Sequence, residues 1–296
     1  MKISNKVKKA IIPVAGLGTR MLPATKAVPK ELLPIIDKPI IQYIVEEALL
    51  AGINEIIFIT RYGKEAIENH FDKNFDLELF LKKSGKKKIL KNFPDNLLSN
   101  ISIISIRQEK PLGLGHAVLQ AKKILKKDEP FAVMLPDEFL VNESKNSDLK
   151  QMINSFNLSK KGQILVDKVG INNISSYGVV DLKGDYSKQK NNKIFKIVEK
   201  PFVKNAPSNL RVVGRYVLPY SVMNNLNKIK KDKTGEFQLT SAIQKSIKEE
   251  SDDFVAFISS SKIFDCGSKE GFLSANIEMA LKDKSLKKLI LNTVKR

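Results

Sequence analysis

The sequence predicts an α/β protein with a mixed, mostly parallel central sheet and helices on both faces. Three observations predict it. Short apolar runs stop at Gly, Pro or Asp; segments with apolar residues at helical spacing separate them; and the second half carries more strand-like runs than helix-like ones.

Residues 7–15 form the first apolar run and end on Gly16-Leu17-Gly18, a buried strand feeding a tight loop. Residues 39–51 place Ile40, Ile41, Ile44, Val45, Ala48 and Leu49 on one helical stripe, which Gly52 stops. A strand over 55–60, a short helix over 64–69, a strand over 101–106, a helix over 114–125 and a strand over 131–135, closed by Pro136-Asp137, continue the alternation. Such alternation builds a parallel sheet covered on both faces. After Asp148 the pattern loosens. Strands are expected over 162–169, 177–182, 193–199 and 210–218, with polar turns such as Lys183-Gly184-Asp185 between some of them. A helix over 238–248, a strand over 254–259, a helix over 268–281 and a Lys- and Leu-rich contact helix complete the chain. No repeat or Pro/Gly/Ser-rich linker divides the 296 residues, so 1–296 is expected to be one domain. Its parts are a first half of about 7–145, a second of about 146–267 and a helical segment of about 268–296.

Composition excludes several classes. No stretch is apolar enough for long enough to span a bilayer, and no apolar core of a signal peptide follows the basic start. No membrane partner is expected. Cys266 is the one cysteine and cannot form an internal disulfide, which fits a reducing, cytoplasmic home. It has no nearby His to activate it, and no His/Cys cluster suggests zinc. The net charge of +19 invites a nucleic-acid partner, but the lysines are scattered and seldom alternate with aromatics, so none is expected. The densest run, Lys82-Lys83-Ser84-Gly85-Lys86-Lys87-Lys88, falls in a polar connector over 82–100. A basic surface also raises the local concentration of small polyanions, an effect salt screens. His70 is expected exposed at a helix end, and His116 is expected to play a structural or indirect part.

The most informative tract runs from Ala15 to Pro34. Gly16 and Gly18 let backbone N–H groups approach a phosphate, Arg20 offers a bidentate fork and Lys30 a compact charge. Pro23, Pro29 and Pro34 stiffen the loop that holds both cations. A Gly-x-Gly pair alone would be no more than a turn. The tract lacks the third Gly of the dinucleotide fingerprint and the Gly-Lys-Thr ending of a P-loop, so neither motif applies.

As a whole the tract resembles the Gly-x-Gly-Thr-Arg-x-x-Pro-x-Thr-x-x-x-Pro-Lys signature of sugar-phosphate nucleotidylyltransferases. Matching blocks follow in order: Asp37 to Tyr43, Arg107-Gln108 with Pro111 to Ala117, Leu135-Pro136-Asp137, Tyr177-Gly178-Val179, Val198 to Pro201, Gly214-Arg215-Tyr216, Thr234 to Thr240 and Phe264-Asp265-Cys266-Gly267. The resemblance covers roughly residues 7 to 275. Met21, where Leu is usual, is a conservative departure.

The resemblance implies a Rossmann-like nucleotidyltransferase fold with a β-rich sugar-binding extension in the second half. It implies Mg2+-dependent transfer of UMP from UTP to α-D-glucose 1-phosphate by direct in-line attack, with pyrophosphate released. Such chemistry needs positioning and charge neutralisation more than a protein nucleophile. Arg20 and Lys30 are the expected catalytic cations. Asp137 and Asp265 are the expected Mg2+ carboxylates, since Mg2+ takes few protein ligands and fills its octahedron with water and phosphate oxygens. Glu138 is expected to point elsewhere. Ala15, Gly16, Gly18, Thr19, Glu31, Gln108 and Gly113 are expected on the nucleotide; Gly178, Glu199, Lys200 and Gly214 on the sugar. Glu31 stands where thymidylyl-transferring relatives tend to carry Gln, which favours uracil. Alternatives stay open: dTTP, CTP or ATP, another hexose 1-phosphate, or a non-catalytic sugar-nucleotide-binding protein. Members commonly associate, so a homodimer or homotetramer is expected.

Overall fold

The structure, a computed structural model, describes residues 6–90, 101–142, 146–182, 191–249 and 253–294. The turn expected at Lys183-Gly184-Asp185 and residues 91–100 of the expected connector lie outside them.

Along the described chain the strands are β1 (Lys9–Pro13), β2 (Pro34–Ile35), β3 (Lys38–Pro39), β4 (Glu55–Thr60), β5 (Ser102–Arg107), β6 (Phe131–Met134), β7 (Glu138–Val141), β8 (Gly162–Lys168), β9 (Gly178–Leu182), β10 (Asn191–Glu199), β11 (Leu210–Leu218), β12 (Phe254–Ile258) and β13 (Lys262–Asp265). Nine of them form one sheet in the order β5-β4-β1-β6-β11-β8-β12-β10-β9. The first four are parallel, and parallel neighbours need crossover connections, which the intervening helices supply. β11 enters antiparallel between β6 and β8, β12 runs parallel to β8, and β10 and β9 return antiparallel. Parallel pairing is therefore concentrated in the first half. β9 also meets β11 at Val179 and Arg211, so this end of the sheet curls back on itself.

Both faces of the sheet are buried, and the period of two along each strand shows it. Ala10, Ile12 and Val14 enter one apolar cluster while Ile11 enters the other; Ile56 and Phe58 oppose Ile57 and Ile59; Leu165 opposes Ile164 and Val166. The helix Ile40–Leu50 lays Ile40, Ile41, Ile44, Val45 and Ala48 onto the first cluster. The helix Leu239–Glu249 lays Leu239, Ala242 and Ile243 onto the second.

Three differences from the sequence expectation have physical reasons. The Lys82–Lys88 run is not simply connector: Lys82 and Lys83 end a helix, Phe75–Lys83, capped at its start by the Asn74 side chain, and Lys87–Leu90 is helical too. Basic residues in a last turn suit the helix dipole. The helix Asp148–Ser159 is a second difference. Its buried side, Leu149, Met152, Ile153 and Phe156, is diluted by polar neighbours, while Ser147 caps it by accepting from the Lys150 N–H at 3.2 Å. His70 is half-buried rather than exposed, with Nε2 3.0 Å from the Gln42 side-chain oxygen, and burial lowers its pKa. No helix of the described residues is long and apolar enough to cross a membrane.

Candidate active site

The site forms where β1 and β6 end side by side. β1 runs into the glycine loop, and β6 runs into Leu135-Pro136-Asp137 before β7 begins. β7 pairs antiparallel with β13, opposite Glu138 standing Asp265. This small two-stranded unit brings Asp265 to Asp137 across more than a hundred residues of chain.

Four charged groups converge there. Lys30 Nζ donates to Asp137 Oδ2 at 2.7 Å, and Arg20 Nη1 donates to Asp265 Oδ2 at 2.9 Å. Arg20 Nη2 lies 3.7 Å from Asp137 Oδ2. Burial would raise the Asp137 pKa, but the Lys30 ammonium, its hydrogen bond and Arg20 outweigh that and hold the carboxyl below its usual range. Burial opposes the charge on Lys30 too, and Asp137 and Glu31 overcome it, so its pKa is raised. Lys30 and Asp137 therefore stabilise each other's charged form.

Glycines set how closely these groups pack. Gly18 has φ +70°, and a Cβ there would meet Thr25 at 3.2 Å and Lys30 at 3.3 Å. Thr25 Oγ1 donates to the Gly18 carbonyl at 2.7 Å, which folds the loop back onto Lys30. Gly267 is tighter: an added Cβ would sit 2.5 Å from Arg20 Nη2 and 3.0 Å from both Asp137 Oδ2 and Asp265 Oδ1. Gly267 closes the Phe-Asp-Cys-Gly block, where residue type alone gives it no role. Its signal is steric and needs the fold.

Two cavities meet at this cluster, sharing Asp137, Leu114 and Leu135. One, of about 380 Å³, is walled by Ala15, Gly16, Lys30, Gln108 and Gly113. The other, of about 330 Å³, is walled by Arg20, Asp265, Gly178, Glu199, Gly214 and Thr240. The structure thus brings Ala15, Gly16, Gln108 and Gly113 together, and separately Gly178, Glu199 and Gly214. It does not bring Gly18, Thr19, Glu31 or Lys200 to the walls of either cavity. Glu31 is buried, with Oε2 accepting from Lys64 Nζ at 2.6 Å. Lys200 is exposed just past the end of β10, its φ at +42°.

The second half of the signature blocks is explained by packing. Gly115 N–H donates to the Phe237 carbonyl at 2.7 Å and Phe237 N–H to the Leu112 carbonyl at 2.8 Å. A Cβ on Gly113 would lie 2.8 Å from Glu236, so the two segments touch backbone to backbone. Gln108 Nε2 lies 2.9 Å from His116 Nδ1, and His116 stacks on Phe237. His116 thus backs Gln108 and does not itself wall either cavity. Glu199 Oε2 accepts from Thr240 Oγ1 at 2.9 Å, a partner the sequence did not single out.

One expectation is corrected. Glu138 does not point away: it helps wall the second cavity. Burial pushes its pKa up to about 7 against the pull of Arg211, with Asp137 adding to the rise. Asp137 sits in a turn, outside β7, so strand alternation does not send the two side chains to opposite faces. Cys266 is buried, and burial with three nearby carboxylates pushes its thiol up to about 12, so it is no nucleophile.

The family model for nucleotidyl transferases matches residues 9–282. The chain belongs to that family. This nucleotidyl transferase is 45% identical over 291 residues to a UTP–glucose-1-phosphate uridylyltransferase of Haemophilus influenzae, spanning 97% of this chain and 98% of the relative. It is similar to a UTP-bound UGPase from Acinetobacter baumannii, at 44% identity and a TM-score of 0.87 over 96% of this chain and 99% of that one. A UDP-glucose pyrophosphorylase complexed with UDP-glucose resembles it at 35% identity and a TM-score of 0.84, covering 94% and 100% of the two chains.

Asp137 and Asp265 suit a hard divalent cation. Both offer carboxylate oxygens, and the Arg20 guanidinium reaches both, Asp265 Oδ2 at 2.9 Å and Asp137 Oδ2 at 3.7 Å. Among the described residues no group of three or more His, Cys, Asp or Glu surrounds one point, so water and substrate phosphate would supply the remaining ligands.

Proposed function

We propose that this nucleotidyl transferase moves UMP from UTP to α-D-glucose 1-phosphate and releases pyrophosphate. The observation that carries the reading is the convergence of Arg20, Lys30, Asp137 and Asp265 at the junction of two cavities. A nucleotide lying along the glycine loop and a sugar phosphate in the Gly178–Glu199 cavity would meet there. A sugar-phosphate oxygen attacks the α-phosphorus of UTP, the bond from that phosphorus to the bridging oxygen of the β-phosphate breaks, and pyrophosphate carries the electron pair away. The relatives' names, UTP–glucose-1-phosphate uridylyltransferase and UDP-glucose pyrophosphorylase, support this choice of substrates.

Each group has a part. Arg20 neutralises the leaving pyrophosphate. Lys30, between Gly16 and Asp137, leans on the α-phosphate and the incoming phosphate, where charge shifts during reaction. Gln108 offers a donor and an acceptor to the uracil edge, beside the backbone of Ala15, Gly16 and Gly113. Gly18, Thr19 and Glu31 shape the loop from behind. Glu199 accepts from sugar hydroxyls, Gly178 and Gly214 leave room for the ring, and Lys200 offers its ammonium to the sugar phosphate. Asp137 and Asp265 would hold Mg2+, which when bound would offset the negative charge of the crowded phosphates. The buried lone cysteine fits the cytoplasm, and exposed Leu273, Ile277, Leu289 and Val294 on the last helices offer surface for a homodimer or homotetramer.

Pyrophosphate release across a panel of UTP, dTTP, CTP and ATP with several hexose 1-phosphates tests this. UTP with glucose 1-phosphate is expected to have the highest kcat/KM. A higher value for another pair moves the substrate assignment; no release with any pair leaves a sugar-nucleotide-binding protein. Gly267→Ala is expected to lower kcat/KM by about a hundredfold, because its methyl group would stand 2.5 Å from Arg20 Nη2 and force the guanidinium to shift, and misplacement of about 1 Å is that costly. Wild-type activity in this variant would show that Arg20 works from elsewhere.

A further inference from the structure

Arg215 is wholly buried in β11, yet carries a charge. Its Nε and Nη2 donate to the Glu47 carboxylate at 2.8 to 3.2 Å, which neutralises it against the helix Ile40–Leu50. The rest of the guanidinium is spent on backbone. Nη1 donates to the Leu135 carbonyl at 3.0 Å and the Gly214 carbonyl at 3.2 Å, and Nη2 to the Glu138 carbonyl at 2.9 Å. Leu135 and Glu138 are the residues on either side of Pro136-Asp137. One planar fork therefore grips both ends of the corner that presents the Asp137 carboxylate.

On the reading of Asp137 as a metal carboxylate, we propose that Arg215, backed by Glu47, is the positioning residue for Asp137: it fixes the corner so that the carboxylate faces Lys30, Arg20 and the divalent cation. A fork is required. Lysine would keep the ion pair with Glu47 but is a point donor and cannot span two carbonyls held by a rigid plane. Residues that orient a metal ligand typically change metal affinity by about 10–100-fold when altered. A side chain of purely structural importance changes stability instead.

The test compares Arg215→Lys and the double variant Glu47→Leu with Arg215→Met, which removes both charges together and leaves neither unpaired in the core. Phe156→Leu, in the helix Asp148–Ser159, serves as a control that loosens the same apolar cluster away from the corner. Mn2+ binding to the UDP-glucose complex is measured by electron paramagnetic resonance, alongside melting temperature and the kcat and KM of pyrophosphate release. Both Arg215 variants are expected to bind Mn2+ about tenfold more weakly, with kcat lowered more than the KM for UTP. Phe156→Leu is expected to melt earlier and bind Mn2+ as wild type does. If the double variant does not fold, Arg215→Lys decides alone. Folded Arg215 variants with wild-type Mn2+ affinity overturn the proposal and leave the metal reading standing. A wild-type chain that binds no Mn2+ overturns the metal reading and the proposal with it.

Discussion

Asp137→Asn is expected to lower kcat/KM by about a hundredfold or more, ~3 kcal/mol of transition-state stabilisation, and to flatten the response to Mg2+. The change keeps the shape of the side chain and the Pro136-Asp137 turn but removes the charge on which three groups depend. Lys30 loses its 2.7 Å partner, Arg20 loses its 3.7 Å neighbour, and the cation site loses one of its two carboxylates. Asp265 remains, held to Arg20 at 2.9 Å, so residual turnover at high Mg2+ is expected. Titration of pyrophosphate release with Mg2+ checks this. A variant with the wild-type Mg2+ response takes Asp137 out of the metal site, whatever its activity.

Much of this site is legible in the sequence, for a physical reason. The phosphate-handling loop needs glycine, arginine and lysine at close spacing, and those residue types announce their chemistry. The strands of the parallel half are legible because a sheet buried on both faces demands unbroken apolar runs, as in Ala10-Ile11-Ile12 and Ile56-Ile57-Phe58. What stays hidden depends on partners distant in sequence. β7 and β13 are four residues each, without useful alternation, and only their pairing makes them strands. Gly267 reads as one glycine among many until Arg20 is found 2.5 Å from where its methyl group would be. That Glu138 walls the same junction as Asp137 depends on the turn between β6 and β7, which its residue type does not reveal. Nothing local to Arg215 says that its partners are Glu47 and the backbone carbonyls of Leu135, Gly214 and Glu138. The helix Asp148–Ser159 did carry a legible signal, an apolar stripe behind a serine cap, that its polar neighbours obscured.

Lys30→Ala is expected to lower kcat by about 10²–10³-fold, the loss typical of removing one preorganised group aimed at developing charge. The ammonium is held on two sides: Asp137 Oδ2 at 2.7 Å, and the glycine loop, where a Cβ on Gly16 would stand 3.7 Å from it. A group fixed before the substrate arrives spends nothing on reorganisation during the reaction, which is why its loss should fall on kcat rather than on the KM for UTP. The fold should survive. Lys30 lies in a short turn of 3₁₀ helix outside both apolar clusters, so circular dichroism and the melting profile should stay close to wild type. Lys30→Arg sharpens the test. It keeps the charge, but the wider fork has to fit beside Gly16 and Gly18, where Lys30 Cβ already lies 3.3 Å from the methyl position of Gly18. Substantial loss in Lys30→Arg means that placement matters as well as charge. If Lys30→Ala instead raised the KM for UTP and left kcat untouched, Lys30 would act equally on bound substrate and transition state, and the catalytic role would pass to Arg20 alone.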